Sequence, residues 1–296
     1  MSERQTEQHG SYHGIDTWPD HRILDALLSG QERAIAAVRQ ATPSISQAAT
    51  VLAQRIASGG RLVYAGAGTS IRVAVQDGSE LPATFGMPED RILYLIAGGR
   101  AAMFDSLADA EDDESDGAAQ AEACRPGDTL IAVAASGSTP FTVAAARQAR
   151  EKGAFVIALV NNPGSRLAAV ADLEILVASG PEVIAGSTRL AAGTAQKAAL
   201  NLLSTLTHIK LGAVHDGLMV NVEAGNAKLR RRAAGIVAAI ARVDEASAHA
   251  ALDQAGGQVK PAVLLCAGAK DIAAAQRLLV DANGNLRLAM SRLADT

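Results

Sequence analysis

The stretch Arg61-Leu62-Val63-Tyr64-Ala65-Gly66-Ala67-Gly68-Thr69-Ser70 decides the fold of this chain. Its first half is a short apolar run, which is typical of a buried strand, and its second half is a glycine turn that ends in two hydroxyl side chains. A helical pattern follows. The stretch therefore predicts a strand, a tight turn and a helix, which together form one unit of an α/β fold.

Four more short apolar runs follow along the chain, and helical stretches lie between most of them. They cover residues 92–96, 129–134, 155–160 and 173–177. Short buried strands that alternate with helices predict a doubly wound parallel sheet flanked by helices. Ligands bind such sheets beyond the carboxyl ends of the strands, and the Gly/Ser/Thr clusters of this chain fall there.

The remaining segments suggest further helices and a small appended domain. Two helices are expected between Ile23 and Ile56, with Pro43 near the start of the second, and further helices over 187–215 and 216–242. A weak internal repeat lies after Val243, each unit being a short helix, a glycine turn and another short helix. The predicted division is an N-terminal arm (1–20), an α/β domain (21–242) and a small helical domain (243–296).

Composition excludes several classes of function. Hydrophobic residues make up 49% of the chain but aromatic residues only 3%, so base-stacking platforms for single-stranded nucleic acid are nearly absent. A net charge of -4 argues against a surface for nucleic acid or anionic membranes. The two cysteines have neither metal spacing nor a disulfide framework, and we see no signal-peptide core and no membrane-length apolar run. We expect a cytoplasmic protein.

Three clusters with hydroxyl side chains are candidates for binding a phosphate: Thr69-Ser70, Ser136-Gly137-Ser138-Thr139 and Ser187-Thr188-Arg189. The first glycine turn is not a dinucleotide fingerprint, because the third glycine would fall at Ile71, and no Gly-Lys-Ser/Thr of a P-loop follows. Hydroxyls and backbone N–H groups at a helix start can still bind an anion. The predicted phosphate-binding residues are Gly68, Thr69, Ser70, Ser136, Gly137, Ser138, Thr139 and Ser187.

Two carboxylates are the candidates for acid–base chemistry. Glu80 follows the first hydroxyl cluster, and Glu111 heads the acidic run Glu111-Asp112-Asp113-Glu114. Two carboxyl groups in one pocket can divide the roles of acid and base when their environments separate their pKa values. An acidic run is more often a solvated surface, so the pattern alone leaves both readings open.

Together these segments resemble the N-acetylmuramic acid 6-phosphate etherases, a family of the sugar isomerase (SIS) domain superfamily. The matching stretches span nearly the whole chain: TEQ at 6–8, GRLVYAGAGTS at 60–70, DGSELPATFG at 77–86, LIAGG at 95–99, AEDD at 110–113, AASGSTPF at 134–141, GSTRLAAGTAQK at 186–197 and LMVNVEAGNAKL at 218–229. The C-terminal repeat also resembles the small helical domain of that family.

The resemblance implies a SIS-type domain that works as a homodimer, without a metal or organic cofactor. It implies a lyase that cleaves the D-lactyl ether of N-acetylmuramate 6-phosphate by elimination and water addition. The products are N-acetylglucosamine 6-phosphate and D-lactate, in the recycling of cell-wall peptidoglycan. On this resemblance Glu80 is the acid and Glu111 the base.

Several positions depart from the family motifs. Ile71 replaces a glycine, Ser138 an arginine and Ala191 a lysine, while Gly78 replaces an alanine. Two positive charges are therefore missing near a site for an anionic substrate, and a hydrogen bond to a charged group contributes ~1.5–3 kcal/mol. We expect a divergent member of the family. A non-catalytic phosphosugar-binding regulator, and a lyase or isomerase acting on a different phosphosugar, stay open as alternatives.

Overall fold

The computed structural model describes residues 5–8, 10–105, 108–222 and 227–295. Residues 1–4 and 9 of the predicted arm, and 223–226 of the stretch 218–229, lie outside the described residues. The chain forms two compact units, residues 1–79 with 90–204 and residues 80–89 with 205–296.

The first unit contains a five-stranded parallel sheet with the strand order β2-β1-β3-β4-β5. The strands are β1 (Leu62–Gly66), β2 (Ile92–Ile96), β3 (Thr129–Ala134), β4 (Phe155–Val160) and β5 (Leu173–Leu176). The ends of all five strands agree with those predicted from the sequence to within one residue. Because β2 and β3 lie on opposite sides of β1, the topological switch point falls between β1 and β3, where doubly wound folds bind ligands.

Helices cover both faces of this sheet. Val63 and Ala65 of β1 belong to a core cluster with α5, whereas Tyr64, which points to the other face, donates a hydrogen bond to Asp77 of α3. The helices that begin in this unit are α1 (Asp20–Gln40), α2 (Thr42–Ala57), α3 (Gly68–Phe85), α4 (Glu114–Ala121), α5 (Pro140–Glu151), α6 (Arg166–Val170) and α7 (Ala191–Lys210). The predicted doubly wound class is confirmed.

The second unit is mainly helical, with its own apolar core. Its elements are the two-stranded antiparallel pair β6 (Val214–His215) and β7 (Leu218–Met219), and the helices α8 (Ala227–Ala241), α9 (Glu245–Gln254), α10 (Val259–Cys266), α11 (Ile272–Asp281) and α12 (Leu286–Ala294). The last four helices form the two predicted helix–turn–helix repeats. The domain boundaries at residues 20 and 242 stay a prediction, because contacts within a chain do not show which segments fold independently.

The helices predicted over 187–215 and 216–242 are both shorter in the structure, so their predicted bounds were wrong. Residues 187–190 form a turn, in which the Leu190 N–H donates to the Ser187 carbonyl, so α7 begins only at Ala191. After α7, Gly212 and Gly217 adopt positive φ angles and allow the β6–β7 turn that the sequence analysis missed. None of the helices in the described ranges is long and apolar enough to cross a membrane.

Candidate functional site

The first two hydroxyl clusters lie at the switch point of the sheet. Residues 66–70 span the end of β1, residue 67 and the first turn of α3, and residues 135–139 connect β3 to α5. Both connections leave the carboxyl ends of adjacent parallel strands, so they emerge at the same edge of the sheet. The structure therefore brings these two predicted phosphate loops to one edge.

Glycine is required at two positions of these loops. A Cβ at Gly66 would lie 2.8 Å from the carbonyl oxygen of Val133 on the neighbouring strand. A Cβ at Gly137 would lie 2.4 Å from both Cβ and Oγ of Ser165, and Gly137 has a φ of 63°. The backbone of each loop thus packs closely against the next strand or loop. Ser70 is buried, whereas Thr69 and Ser136 are half-buried.

The second loop holds one unpaired hydroxyl. The Ser138 N–H donates to Ser136 Oγ at 3.2 Å, which tightens the turn, while the Ser136 hydroxyl keeps its own proton available as a donor. Among the residues that the structure describes, Ser138 Oγ is buried and has no hydrogen-bond partner. This side chain can therefore donate to a bound anion or to an ordered water without breaking an existing bond.

At the third cluster, the N–H groups at the helix start are not free to bind an anion. Glu182, which is 1% exposed, accepts hydrogen bonds from the N–H groups of Ala191 and Ala192 at 3.0 and 2.9 Å. The first N–H groups of α7 are therefore already bound by a carboxylate of the protein itself. Ser187 is half-buried nearby, and its role in binding substrate rests on its hydroxyl and stays a prediction.

A cleft of about 410 Å³ lies between α1, α3 and α7. Thr69 and Val73 of α3 line one wall, and Arg189 and Lys197 line the other. Among the described residues, neither cationic side chain has a hydrogen bond or an ion pair. Two such cations beside the first turn of α3, where backbone N–H groups favour negative charge, form a site that can accept an anionic group.

Sequence reasoning missed this cleft. It placed Arg189 only in the third hydroxyl cluster and assigned Lys197 no role in binding. The available signal was the spacing of Thr194 and Lys197, three residues apart, which places two polar side chains on one face of α7. The packing of that face beside Thr69 is a long-range contact that the spacing cannot reveal.

Both predicted catalytic carboxylates are exposed side chains. Glu80 lies on α3, in the part of the chain that belongs to the second unit, and Glu111 lies in a 3₁₀ helix, Ala108–Asp112, of the first unit. Their exposure leaves them able to reach a ligand. Their convergence in one pocket stays a prediction.

Residues around Glu111 are held by specific contacts. Arg72 of α3 donates to the carbonyls of Ala102 and Met103 at 2.9 and 3.0 Å, which ties the segment after β2 to the first phosphate loop's helix. Asp113 caps α4 through the Asp116 N–H at 2.9 Å. The pKa of Asp113 is lowered, first by the hydrogen bond from the Ser115 hydroxyl and then by that from the Asp116 N–H. Part of the acidic run thus serves as a helix cap.

Residues 5–8 of the predicted arm are docked on the first unit through Thr6. Thr6 is fully buried, its hydroxyl accepts a hydrogen bond from Asn162 Nδ2 at 3.1 Å, and its carbonyl accepts one from the Gly186 N–H at 3.2 Å. Asn162 follows β4 and Gly186 precedes Ser187. The segment therefore lies at the same edge of the sheet as the predicted phosphate loops.

Comparison with known proteins identifies the family. A family model described as "SIS domain" matches residues 29–161. A protein from Deinococcus radiodurans named N-acetylmuramic acid 6-phosphate etherase is 46% identical over 279 residues, covering 93% of this chain and 92% of that protein. A protein of the same name from Symbiobacterium thermophilum is 48% identical over 240 residues, 80% of each chain. The chain belongs to the N-acetylmuramic acid 6-phosphate etherase family.

A solved structure supports the fold assignment. The protein, described as a phosphosugar isomerase involved in capsule formation from Bacteroides fragilis, matches with a TM-score of 0.51 at 19% identity. The match covers 66% of this chain and 94% of that one. At this identity the likeness concerns the fold alone.

Two departures from the etherase motifs are absorbed by the core. Ile71 is 1% exposed, and its Cβ lies 3.4 Å from a Cβ built on Gly66, so it packs under the loop rather than over it. Ala191 is also 1% exposed.

Among the described residues, no group of three or more His, Cys, Asp or Glu side chains is placed to hold a metal ion.

Proposed function

We infer that this chain is an N-acetylmuramic acid 6-phosphate etherase, a carbon–oxygen lyase. The observation that carries the inference is 46% identity over 93% of the chain to a protein of that name. On this proposal the protein splits N-acetylmuramate 6-phosphate into N-acetylglucosamine 6-phosphate and D-lactate.

The proposed chemistry is an elimination followed by an addition. In the open-chain sugar the C1 aldehyde acidifies the proton on C2, which Glu111 removes as a base. The C3–O bond then breaks while Glu80 protonates the departing ether oxygen, and D-lactate leaves. Water adds to C3 of the alkene and a proton returns to C2. Positioned acid and base groups contribute ~10²–10⁴-fold each.

Anion binding would come from the edge of the sheet. We assign the phosphate to the hydroxyls and N–H groups of residues 68–70 and 136–139, and one anionic group of the substrate to the cleft with Arg189 and Lys197. The substrate carries a phosphate and a lactyl carboxylate, so two unpaired cations match its charge.

A cytoplasmic homodimer acting in peptidoglycan recycling completes the proposal. Exposed apolar side chains support a partner copy: Leu24, Leu28 and Ile35 share one face of α1 at helical spacing, and Leu202 is exposed on α7. Light scattering of the wild type and a Leu28→Asp variant tests this point. A wild type that scatters as a monomer contradicts it.

The activity is tested by measuring D-lactate released from N-acetylmuramate 6-phosphate. Wild type should release lactate, while Glu80→Gln and Glu111→Gln should each lose at least ~10²-fold in rate. Asp112→Asn, which neutralises an exposed neighbour in the same 3₁₀ helix, is the matched control and should stay active. Full activity in Glu80→Gln would refute the assigned acid.

The alternative proposal is a phosphosugar-binding regulator or an enzyme on another phosphosugar. Ser138 and Ala191, which replace cationic residues of the family motifs, favour it. Binding of N-acetylglucosamine 6-phosphate without lactate release by the wild type would select this alternative.

A further inference from the structure

Asp77 is a buried carboxylate at the centre of three elements. Its side chain accepts hydrogen bonds from Tyr64 Oη of β1 at 2.7 Å, and from Asn201 Nδ2 and Ser204 Oγ of α7 at 2.7 and 2.9 Å. Only 5% of the residue is exposed. One side chain of α3 thus joins a strand and a second helix.

The donors around this carboxylate are neutral. No ion pair to Asp77 is found among the described residues, and burial together with Asp77 raises the pKa of Tyr64 far above its usual range, so the phenol stays a proton donor. A buried carboxylate without a cation is costly, and apolar residues often stabilise a core better. A purpose other than stability is consistent with the fixed geometry that these three hydrogen bonds give α3.

The position of Asp77 on α3 indicates that purpose. It lies three residues before Glu80, and residues three apart are neighbours on a helix face. Gly78, the next residue, lets the stacked rings of Tyr64 and Tyr94 approach the α3 backbone. Pro82 lies two residues after Glu80 and cannot donate the helix hydrogen bond to the Gly78 carbonyl. The helix is thus weakened after Glu80 and fixed immediately before it.

We propose that Asp77 is a positioning residue for Glu80. Its hydrogen bonds to β1 and α7 fix the rotation of α3, and so the direction in which the helix presents the acid. This proposal rests on the proposed function for the role of Glu80. Displacement of a reacting group by about 1 Å can cost about 10²-fold in rate.

The kinetic test compares two substitutions of Asp77. Asp77→Ala removes all three acceptors, so kcat for lactate release should fall about 10–100-fold with little change in KM. In Asp77→Asn the amide oxygen can still accept from α7, and the Tyr64 hydroxyl can turn to accept from the amide nitrogen. That variant should recover most of kcat. Gln76→Ala, on the exposed side of the same helix, is the control.

Protein stability separates positioning from a purely structural role. Rates are taken per folded molecule, well below the melting temperature of each variant. An Asp77→Ala enzyme with wild-type kcat per folded molecule would overturn the proposal, however much its melting temperature falls. Equal losses in the alanine and asparagine variants would also contradict it.

A second readout does not depend on lactate release. Amide hydrogen exchange of Ser79, Glu80 and Leu81 should be at least about ten-fold faster in Asp77→Ala than in wild type, while Gln76→Ala leaves it unchanged. If the wild type releases no lactate but this difference appears, the proposed function fails and the positioning of α3 stands. Unchanged exchange would refute the positioning itself.

Discussion

Replacing Gly78 by alanine tests how closely α3 packs on the sheet. An added Cβ would lie 2.6 Å from Tyr94 Oη and 2.8 Å from Tyr64 Cε2. Contacts this short require one partner to move. Tyr64 is fully buried and hydrogen-bonded to Asp77, so the displacement falls on the half-buried Tyr94 or on α3 itself.

Two opposing terms set the size of the effect. Alanine is favoured over glycine inside a helix by about 0.5–1 kcal/mol. Inserting a methyl group into a packed core costs about 1–3 kcal/mol. Gly78→Ala should therefore lower the free energy of unfolding by roughly 0.5–2 kcal/mol, although alanine is the usual residue of the family motif at this position.

Gly235 of α8 provides the control, because a Cβ there meets no atom within 4 Å. Gly235→Ala should raise the free energy of unfolding by about 0.5–1 kcal/mol. Urea denaturation of both variants measures the two effects with opposite signs. A Gly78→Ala protein at least as stable as wild type would refute the packing argument. In a Tyr94→Ala background, Gly78→Ala should cost less than it does in wild type.

Four further substitutions test the site, its supports and a buried lysine of the second unit. Glu182→Ala removes both acceptors at the start of α7 and should cost about 1–3 kcal/mol in thermal unfolding; an unchanged melting temperature would contradict its capping role. In a Glu80→Gln background that should not turn the substrate over, Arg189→Gln and Lys197→Gln should each weaken binding of N-acetylmuramate 6-phosphate at least ~10-fold by calorimetry, and unchanged affinity in both would remove the cleft from the site. Burial lowers the pKa of Lys260 from 10.5 to about 8. Between these values the unfolded chain binds a proton that the folded chain does not, so stability from this residue rises with pH. Lys260→Met should abolish that rise in urea midpoints measured from pH 8 upward, and an unaltered slope would argue against the shift.

The strands and the C-terminal repeat could be predicted because their signals are local. Apolar runs such as Val156-Ile157-Ala158-Leu159-Val160 end at turn residues, and the repeat places glycine turns between short helices. The common placement of the first two hydroxyl clusters followed from the strands, since parallel strands have their carboxyl ends at one edge of the sheet. These predictions needed no knowledge of distant contacts.

The start of α7 and the docking of Thr6 could not be predicted, because long-range partners decide them. Glu182 lies in a loop nine residues before Ala191, and its sequence context does not distinguish it from other acidic residues. Only the folded structure shows that it binds the start of α7. Thr6 meets Asn162 across 156 residues of sequence. A local pattern carries no information about either pair.

The same limit applies to the charge of the candidate site. Ser138 and Ala191 stand where the family motifs have cationic residues, and this difference suggested an altered substrate specificity. The fold, however, brings Arg189 and Lys197 to a cleft beside Thr69, and no described partner neutralises them. Ala191 is buried with its N–H bound to Glu182. Positive charge at this edge is therefore a property of how α3 and α7 pack, and the loss of a cation from one motif does not by itself imply the loss of an anionic substrate.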